Sequence, residues 1–263
     1  MYVGLAWHFW NTRWRGRGAA KSMQAWERVA LLVPLALHGW LLYQGLFSGE
    51  LRGELRFGFA QALSAMLLLG VALYWVESLF YSLEGMQPLL LPLAAAAVPL
   101  PALFPGLASS GAHAQAPEFR LHLALAMVAY GLFVIALLHA ALMAVVERRL
   151  HRKDAGFFAN LPPLLTLEQL LFRVIAAAFV FLSLTLITGI AFSEELFGRA
   201  LRFDHKTVFA VLSWLTFGLL LAGRSLYGWR GRTAVRWTLT GFLMLLFAYV
   251  GSRFVLEVVL QRN

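Results

Sequence analysis

Seven long runs of apolar residues, separated by short polar connections, dominate the chain. A helix that crosses the hydrocarbon core of a bilayer needs about 20 predominantly apolar residues, and each run reaches or approaches that length. Because backbone groups in lipid must be hydrogen-bonded internally, and the runs are too long for barrel strands, the pattern predicts helices. The expected spans are residues 29–47, 58–77, 88–107, 121–146, 172–193, 207–223 and 236–257.

The predicted fold is all-α: a polytopic transmembrane helical bundle with seven full spans and a partial N-terminal hydrophobic segment. The connections are short, the longest running from Glu147 to Leu171, so residues 1–263 are expected to form a single integral membrane domain. The apolar residues 1–10 precede the first charges, the reverse of a signal peptide. We expect them to be the last turns of an additional helix or an interfacial segment.

Segment 88–107 is the irregular span, because prolines recur along it. Pro88 suits the start of a helix, but each later proline removes a backbone donor and is expected to kink or break the helix. These later residues are Pro92, Pro99, Pro101 and Pro105.

Composition supports a membrane protein and narrows the chemistry. Hydrophobic residues make up 60% of the chain and charged residues 13%, about half of the ~25% that is typical of soluble domains. The absence of cysteine excludes disulfides, thiolate nucleophiles, cysteine zinc sites and covalent haem attachment. Any haem would therefore be held non-covalently, and histidine is then the usual ligand.

The basic residues predict an orientation rather than nucleic-acid binding, although the net charge is +9. They occur in short runs between apolar segments, as membrane topology requires. The alternate connections that begin with 11–28 hold 14 Lys and Arg, and those on the opposite side hold 8. The positive-inside rule places segments 11–28, 147–171 and 224–236 in the cytoplasm and the carboxyl terminus in the periplasm.

Four histidines are candidate ligands. His38 and His139 lie within spans, roughly 15 and 10 Å from the cytoplasmic side, so they could face each other at one level and suit a low-spin haem. The alternative for both is an ordinary hydrogen bond between helices. His122 and His205 open two helices on the periplasmic side.

The residues around His205 extend this outer site. Asp204 could orient or charge-balance the imidazole, and Lys206, with Arg202, offers a cation for haem propionates. In the alternative, Asp204 is a helix N-cap and the other charges mark the membrane interface. The chain has no Walker, H-E-x-x-H, G-x-S-x-G or G-x-G-x-x-G motif, so no catalytic residue is predicted.

Several blocks of sequence resemble the cytochrome c assembly protein superfamily, which includes CcsA/ResC and HemX-like proteins, and most of all its smaller YpjD-type inner-membrane branch. The resemblance runs from about Val29 to Leu260, and the order and spacing of the blocks carry it. The blocks are Leu121–Leu123 with Ala129–Tyr130, Leu167–Gln169 with Arg173, Thr188–Gly189, Phe203–Phe209 with Trp214, and Tyr227–Gly231.

The resemblance implies a multi-pass protein of the bacterial inner membrane that handles haem b, bound non-covalently. His122 matches a periplasmic histidine of CcsA-like members, and His38 could stand for a buried one by position. CcsA-like proteins also carry a tryptophan-rich loop that cradles haem. The equivalent residues 197–209 keep Asp204 and Lys206 but contain no tryptophan, so a complete haem ligase is not implied.

Three hypotheses about function follow. The first is a haem-binding protein related to cytochrome c biogenesis factors, with membrane lipids and haem as its partners and haem handling rather than a defined catalytic reaction. The second is a non-haem accessory or regulatory subunit that acts on another membrane protein. The third is a small-molecule or ion transporter, which the proline-broken segment 88–107 favours and the lack of central carboxylates and internal repeats disfavours.

Overall fold

The computed structural model of the protein describes residues 1–14, 23–47, 55–83, 85–106, 108–109, 116–151, 163–197 and 205–260. The helices in chain order are α1 Tyr2–Phe9, α2 Ala25–Leu46, α3 Phe59–Phe80, α4 Gln87–Ala97, α5 Leu100–Leu103, α6 Pro117–His151, α7 Leu164–Phe197, α8 His205–Tyr227 and α9 Gly231–Leu246. A π-helical turn, Trp10–Trp14, follows α1, and α9 continues through Phe247–Gly251, Ser252–Phe254 and Val255–Val259.

The fold is the expected all-α helical bundle, with six helices in the described residues that are long and apolar enough to cross a membrane. They are α2, α3, α6, α7, α8 and α9 with its continuation. A minor addition is a two-stranded antiparallel pair, β1 Leu55–Arg56 with β2 Ala108–Ser109.

The expected break in segment 88–107 is confirmed, and the segment is a shorter apolar helical stretch rather than a seventh full span. The structure has an 11-residue helix, α4, a turn at 98–99 and the four-residue α5. Pro99 and Pro101 have no backbone N–H and cannot continue the ladder of hydrogen bonds, so the helix ends before them. Pro92, in contrast, is accommodated inside α4.

The broken segment nevertheless returns the chain to the other end of α3. The amide of Gln61, in the first turn of α3, donates to the carbonyl oxygens of Phe104 at 3.2 Å and Pro105 at 2.8 Å. Gly106, at φ 72°, then turns the chain in a conformation that favours glycine. The segment therefore runs antiparallel beside α3.

Close packing around α3 and α6 forms the centre of the bundle. A Cβ atom on Gly131 of α6 would lie 2.7 Å from Cβ of Leu69, and one on Gly70 would lie 3.0 Å from Val134. These glycines let the two backbones approach closely, as small residues do between membrane helices. Phe133 of α6 stacks on Phe217 of α8 at 4.0 Å, which joins the second half of the chain to this core.

The N-terminal segment is a short helix with one buried face. Tyr2, Ala6 and Phe9 of α1 are buried and α1 packs against α4, while Val3 and Trp7 on its other face are exposed. The ring of Tyr2 meets His38 of α2 edge-on at 5.8 Å. One face of this segment is therefore packed into the bundle.

Contacts between helix ends define two ends of the bundle. At the first, which we call the Glu168 end, Glu168 pairs with Arg224 and Glu147 pairs with Arg232. At the opposite end, which we call the His122 end, Glu257 accepts a hydrogen bond from the backbone N–H of Phe59. Arg253, one helical turn before Glu257, forms an ion pair with it at 4.0 Å.

Candidate functional site

His122 is positioned by a hydrogen bond between α6 and α7. Its Nδ1 lies 3.0 Å from the hydroxyl oxygen of Thr188. That hydroxyl has one proton, which it donates to a backbone carbonyl, with Leu184 O at 2.8 Å and Thr185 O at 3.1 Å. The Nδ1–H of His122 must then be the donor to Thr188. A neutral imidazole held in this way keeps the lone pair on Nε2, the arrangement that suits a metal-ligating histidine.

Gly189 provides the space for this arrangement. A Cβ atom at Gly189 would lie only 3.2 Å from Cε1 of His122, so a side chain there would push the ring away from α7. The block around His122 and the block Thr188–Gly189 are 66 residues apart in the chain, yet they meet at this point. Thr188 and Gly189 lie in one of the blocks that carry the family resemblance, but their residue types alone indicate no role.

The other residues predicted for the outer site are placed only in part. His205 is the first residue of α8 and is exposed, and Lys206 follows it, half-buried. Asp204 lies outside the described residues. Within the residues that the structure describes, no hydrogen bond or ion pair joins His122 to His205.

His38 is a buried histidine that bonds to a neighbouring helix. Its side chain is 2% exposed, and Nε2 lies 2.8 Å from the hydroxyl oxygen of Ser64 on α3. Its Nδ1 is buried and has no hydrogen-bond partner among the described residues. The contact with Ser64 is the interhelical hydrogen bond given above as the alternative for this residue.

His139 is fully buried and faces a different part of α3. Its Nδ1 lies 2.9 Å from the carbonyl oxygen of Ile135, and its Nε2 lies 3.8 Å from a carboxylate oxygen of Glu77. The Glu77 carboxylate therefore lies in the space beside Nε2 that the porphyrin of a bound haem would need. In this arrangement the residue does not fit a haem ligand.

His38 and His139 do not meet, and the expectation that they face each other at one level is wrong. Their contacts on α3, Ser64 and Glu77, are 13 residues apart, which is about 20 Å along a helix. Two axial nitrogens on one iron lie about 4 Å apart, because metal–imidazole bonds are about 2 Å. Depths counted from the ends of the apolar segments are not comparable, because α6 extends well past the end of α3 and the two helices do not end in one plane.

At the Glu168 end, two other blocks that are far apart in the sequence come into contact. The carboxylate of Glu168 lies 2.5 Å from Nη1 of Arg224 and 3.7 Å from Nε of Arg230, and it accepts a hydrogen bond from the backbone N–H of Gly231 at 3.3 Å. The guanidinium of Arg224 also lies over the ring of Phe172. This cluster ties α7 to the turn between α8 and α9, so its role is structural.

No cluster of three or more His, Cys, Asp or Glu side chains suited to a metal ion occurs among the described residues. Unlike His38 and His139, which are buried against α3, His122 is half-buried near a helix end and His205 is exposed. A haem held at this site would depend on His122, with Thr188 and Gly189 fixing the ring.

Comparisons with known proteins identify a family for the chain. A family model described as "Cytochrome C assembly protein" matches residues 26–260, nearly the entire chain. No solved structure matches the chain.

Curated relatives match over part of their length. Inner membrane protein YpjD of Escherichia coli is 32% identical over 143 residues, 54% of this chain and 54% of the relative. The cytochrome c biogenesis protein CcsA of Chlamydomonas reinhardtii is 26% identical over 146 residues, 54% of this chain and 40% of the relative. CcsA of Prochlorococcus marinus is 29% identical over 155 residues, 51% of this chain and 50% of the relative. The chain thus spans about half the length of the curated relatives that it matches.

Proposed function

The chain belongs to the cytochrome c assembly protein family, and on that basis we propose that it binds haem b non-covalently at the His122 end, with His122 as an iron ligand. It is a multi-pass inner-membrane protein related to cytochrome c biogenesis proteins. Haem is the chemistry that this family membership suggests. Iron in a bound haem would supply two axial coordination positions for protein ligands.

The observation that carries the proposal is the hydrogen bond between His122 and Thr188, from which the tautomer of the ring follows. Thr188 accepts this bond from the Nδ1–H, because its own hydroxyl donates to a backbone carbonyl of α7. The Nε2 lone pair is then available in the neutral ring, and the ring cannot turn without losing this hydrogen bond. Residues 188 and 189 act here as positioning residues.

His205, Asp204 and Lys206 complete the proposal at the same end of the bundle. His205 begins α8 at the His122 end and is exposed, so its imidazole can approach a ligand from outside the bundle. We propose His205 as the second ligand, Asp204 as the group that orients it and Lys206 as a cation for a propionate. His38 and His139 serve as comparison residues, since both rings are buried, with Nε2 of His38 bonded to Ser64 and Nε2 of His139 beside Glu77.

Haemin titration of the purified full chain tests the proposal. We expect a Soret band that appears with one equivalent of haemin, moves on reduction with dithionite and elutes with the protein in detergent gel filtration. A preparation that stays colourless after haemin is added and free haemin removed would overturn haem binding.

Replacing Thr188 by Val is expected to weaken haem binding about tenfold, because the partner that orients a metal-bound histidine typically contributes 10–100-fold to affinity. Valine keeps the shape of threonine but cannot accept the Nδ1–H of His122. Thr185→Val is the matched control, since that hydroxyl donates to the carbonyl of Phe181 instead. Equal haemin dissociation constants for the two variants would remove Thr188 from the site.

We propose that the Glu168 end faces the cytoplasm and the carboxyl terminus faces the periplasm. The support is the excess of Lys and Arg in the connections at that end. A reporter fused after Asn263 is expected to be active only in the periplasm. Activity in the cytoplasm would reverse the orientation and place His122 on the inner side.

The second candidate function is that of a non-haem accessory subunit. The lack of tryptophan in residues 197–209 favours it, because that loop cradles haem in the CcsA-like proteins that the chain resembles. This function predicts that another membrane protein co-purifies with the chain while haemin leaves no bound Soret band. A haem-loaded chain with no such partner would contradict it.

A further inference from the structure

Glu77 and His139 face each other inside the bundle, in a pair that haem binding does not use. Nε2 of His139 lies 3.8 Å from a carboxylate oxygen of Glu77. His139 is 0% exposed, and both of these atoms are buried without a hydrogen-bond partner among the described residues. Glu77 is three residues from the end of α3, at the Glu168 end of the bundle.

The hydrogen bond on the far side of the ring determines which nitrogen carries the proton. Nδ1 lies 2.9 Å from the carbonyl oxygen of Ile135, and a carbonyl can only accept. Nδ1 is therefore protonated, and in the neutral ring Nε2 is an acceptor. An ionised Glu77 would also be an acceptor. Two buried acceptor atoms would then face each other with no proton between them, which is unfavourable because buried polar groups need a hydrogen-bond partner.

No cation in the described part of the chain compensates a negative Glu77. His139 is the one basic side chain within ion-pair distance of its carboxylate. The first residue of α4, Gln87, is also fully buried with both amide atoms unpartnered, but it carries no charge. Among the described side chains at this end, the following charged and titratable groups make no ion pair or hydrogen bond with Glu77 or His139: Arg28 on α2, Tyr81 after α3, Glu168 and Arg173 on α7, and Arg232 and Arg236 on α9.

We propose that Glu77 and His139 form a site that binds one proton. The Glu77 carboxylate takes up H⁺ and becomes a carboxylic acid, and the two side chains close the 3.8 Å gap to hydrogen-bond distance so that its O–H donates to the lone pair on Nε2 of His139. No other bond forms or breaks. The carbonyl of Ile135 holds the ring in the accepting tautomer, so His139 acts as a positioning residue for the proton on Glu77.

The position of the pair defines how the proton arrives. The Glu77 side chain is 17% exposed while that of His139 is 0% exposed, so the carboxyl is the member that solvent reaches. It lies about 5 Å from the end of α3, by the rise of a helix. The proton therefore enters and leaves at the Glu168 end, and the site exchanges protons with the compartment that this end faces.

Infrared difference spectra between the wild-type chain and its variants, each in lipid vesicles without added haem, test the proposal. At neutral pH we expect the C=O stretching band of a protonated, hydrogen-bonded carboxyl group, shifted in D₂O. Glu77→Gln should abolish the band, and His139→Leu should move it to higher frequency because the acceptor is lost. Glu257→Gln, which removes another carboxylate with little exposure, should leave it unchanged.

If the variants fail to fold, the wild-type protein alone can show whether Glu77 and His139 share a proton. Nitrogen-15 NMR of labelled histidine should show one ring protonated at Nδ1 whose Nε2 accepts a strong hydrogen bond. Absence of a protonated-carboxyl band in the wild-type spectrum would overturn the proposal. So would one equivalent of tightly bound divalent metal that Glu77→Gln removes, because a metal ion would then be the occupant.

Discussion

Replacing Glu27 by Ala is expected to lower the free energy of unfolding by about 3–5 kcal/mol, the usual effect of breaking a buried ion pair by removing one partner. Glu27 is 2% exposed and Arg13 is 5% exposed, and Nη2 of Arg13 lies 2.7 Å from the carboxylate. Without Glu27 the guanidinium stays buried and unpaired. The loss should therefore be among the largest of any single substitution in the chain.

Glu27 also organises the start of α2, which adds to the expected effect. Its carboxylate accepts a hydrogen bond from the backbone N–H of Gln24 at 2.8 Å and lies 2.8 Å from Nε2 of His8. One side chain thus joins α1, the turn after it and α2. Loss of a helix-capping contact by itself typically costs about 1 kcal/mol.

Unfolding of the purified protein in mixed micelles with increasing dodecyl sulfate measures this effect. Glu118→Ala is the matched control, because Glu118 is an exposed glutamate in the first turn of another helix and should change stability by less than about 0.5 kcal/mol. A double variant, Arg13→Met with Glu27→Leu, should recover much of the stability, since no buried charge is left alone. Equal losses for Glu27→Ala and Glu118→Ala would contradict the importance of this cluster.

The long helices were predictable from sequence because their signal is local. An apolar stretch such as that in α3 or α7 has to be a helix in lipid, whatever it packs against. The break between α4 and α5 was visible as a series of prolines, but its position was not. Whether a proline interrupts a helix depends on the neighbours that take up the freed carbonyls, and here Pro92 is tolerated while Pro99 is not.

The candidate site was only partly predictable, because its geometry depends on contacts between distant segments. His122 was identified by its residue type and its place at a helix end. Thr188, which fixes the tautomer of that ring, carries no signal of its own in the sequence. The levels of His38 and His139 depend on how far α6 extends past α3, which a count from the apolar boundaries misses.

Replacing His122 by Ala is expected to weaken haem binding by more than about 100-fold, since loss of a ligand exceeds the 10–100-fold effect of its outer partners. The fold should survive this change, because the Thr188 hydroxyl keeps its hydrogen bond to the carbonyl of Leu184. Haemin titration monitored by the Soret band measures the effect. His205→Ala is expected to alter the reduced spectrum while some binding remains, as one axial ligand would still be present.

The most direct test of haem binding at the His122 end compares haem content and the reduced spectrum of four variants prepared in parallel. They are His122→Ala, His205→Ala, His38→Ala and His139→Ala. We expect His122→Ala to lose haem, and the two variants within the spans to match wild type, because both of those rings are buried between helices. A His122→Ala variant with wild-type haem content and an unchanged reduced spectrum would contradict the proposed function.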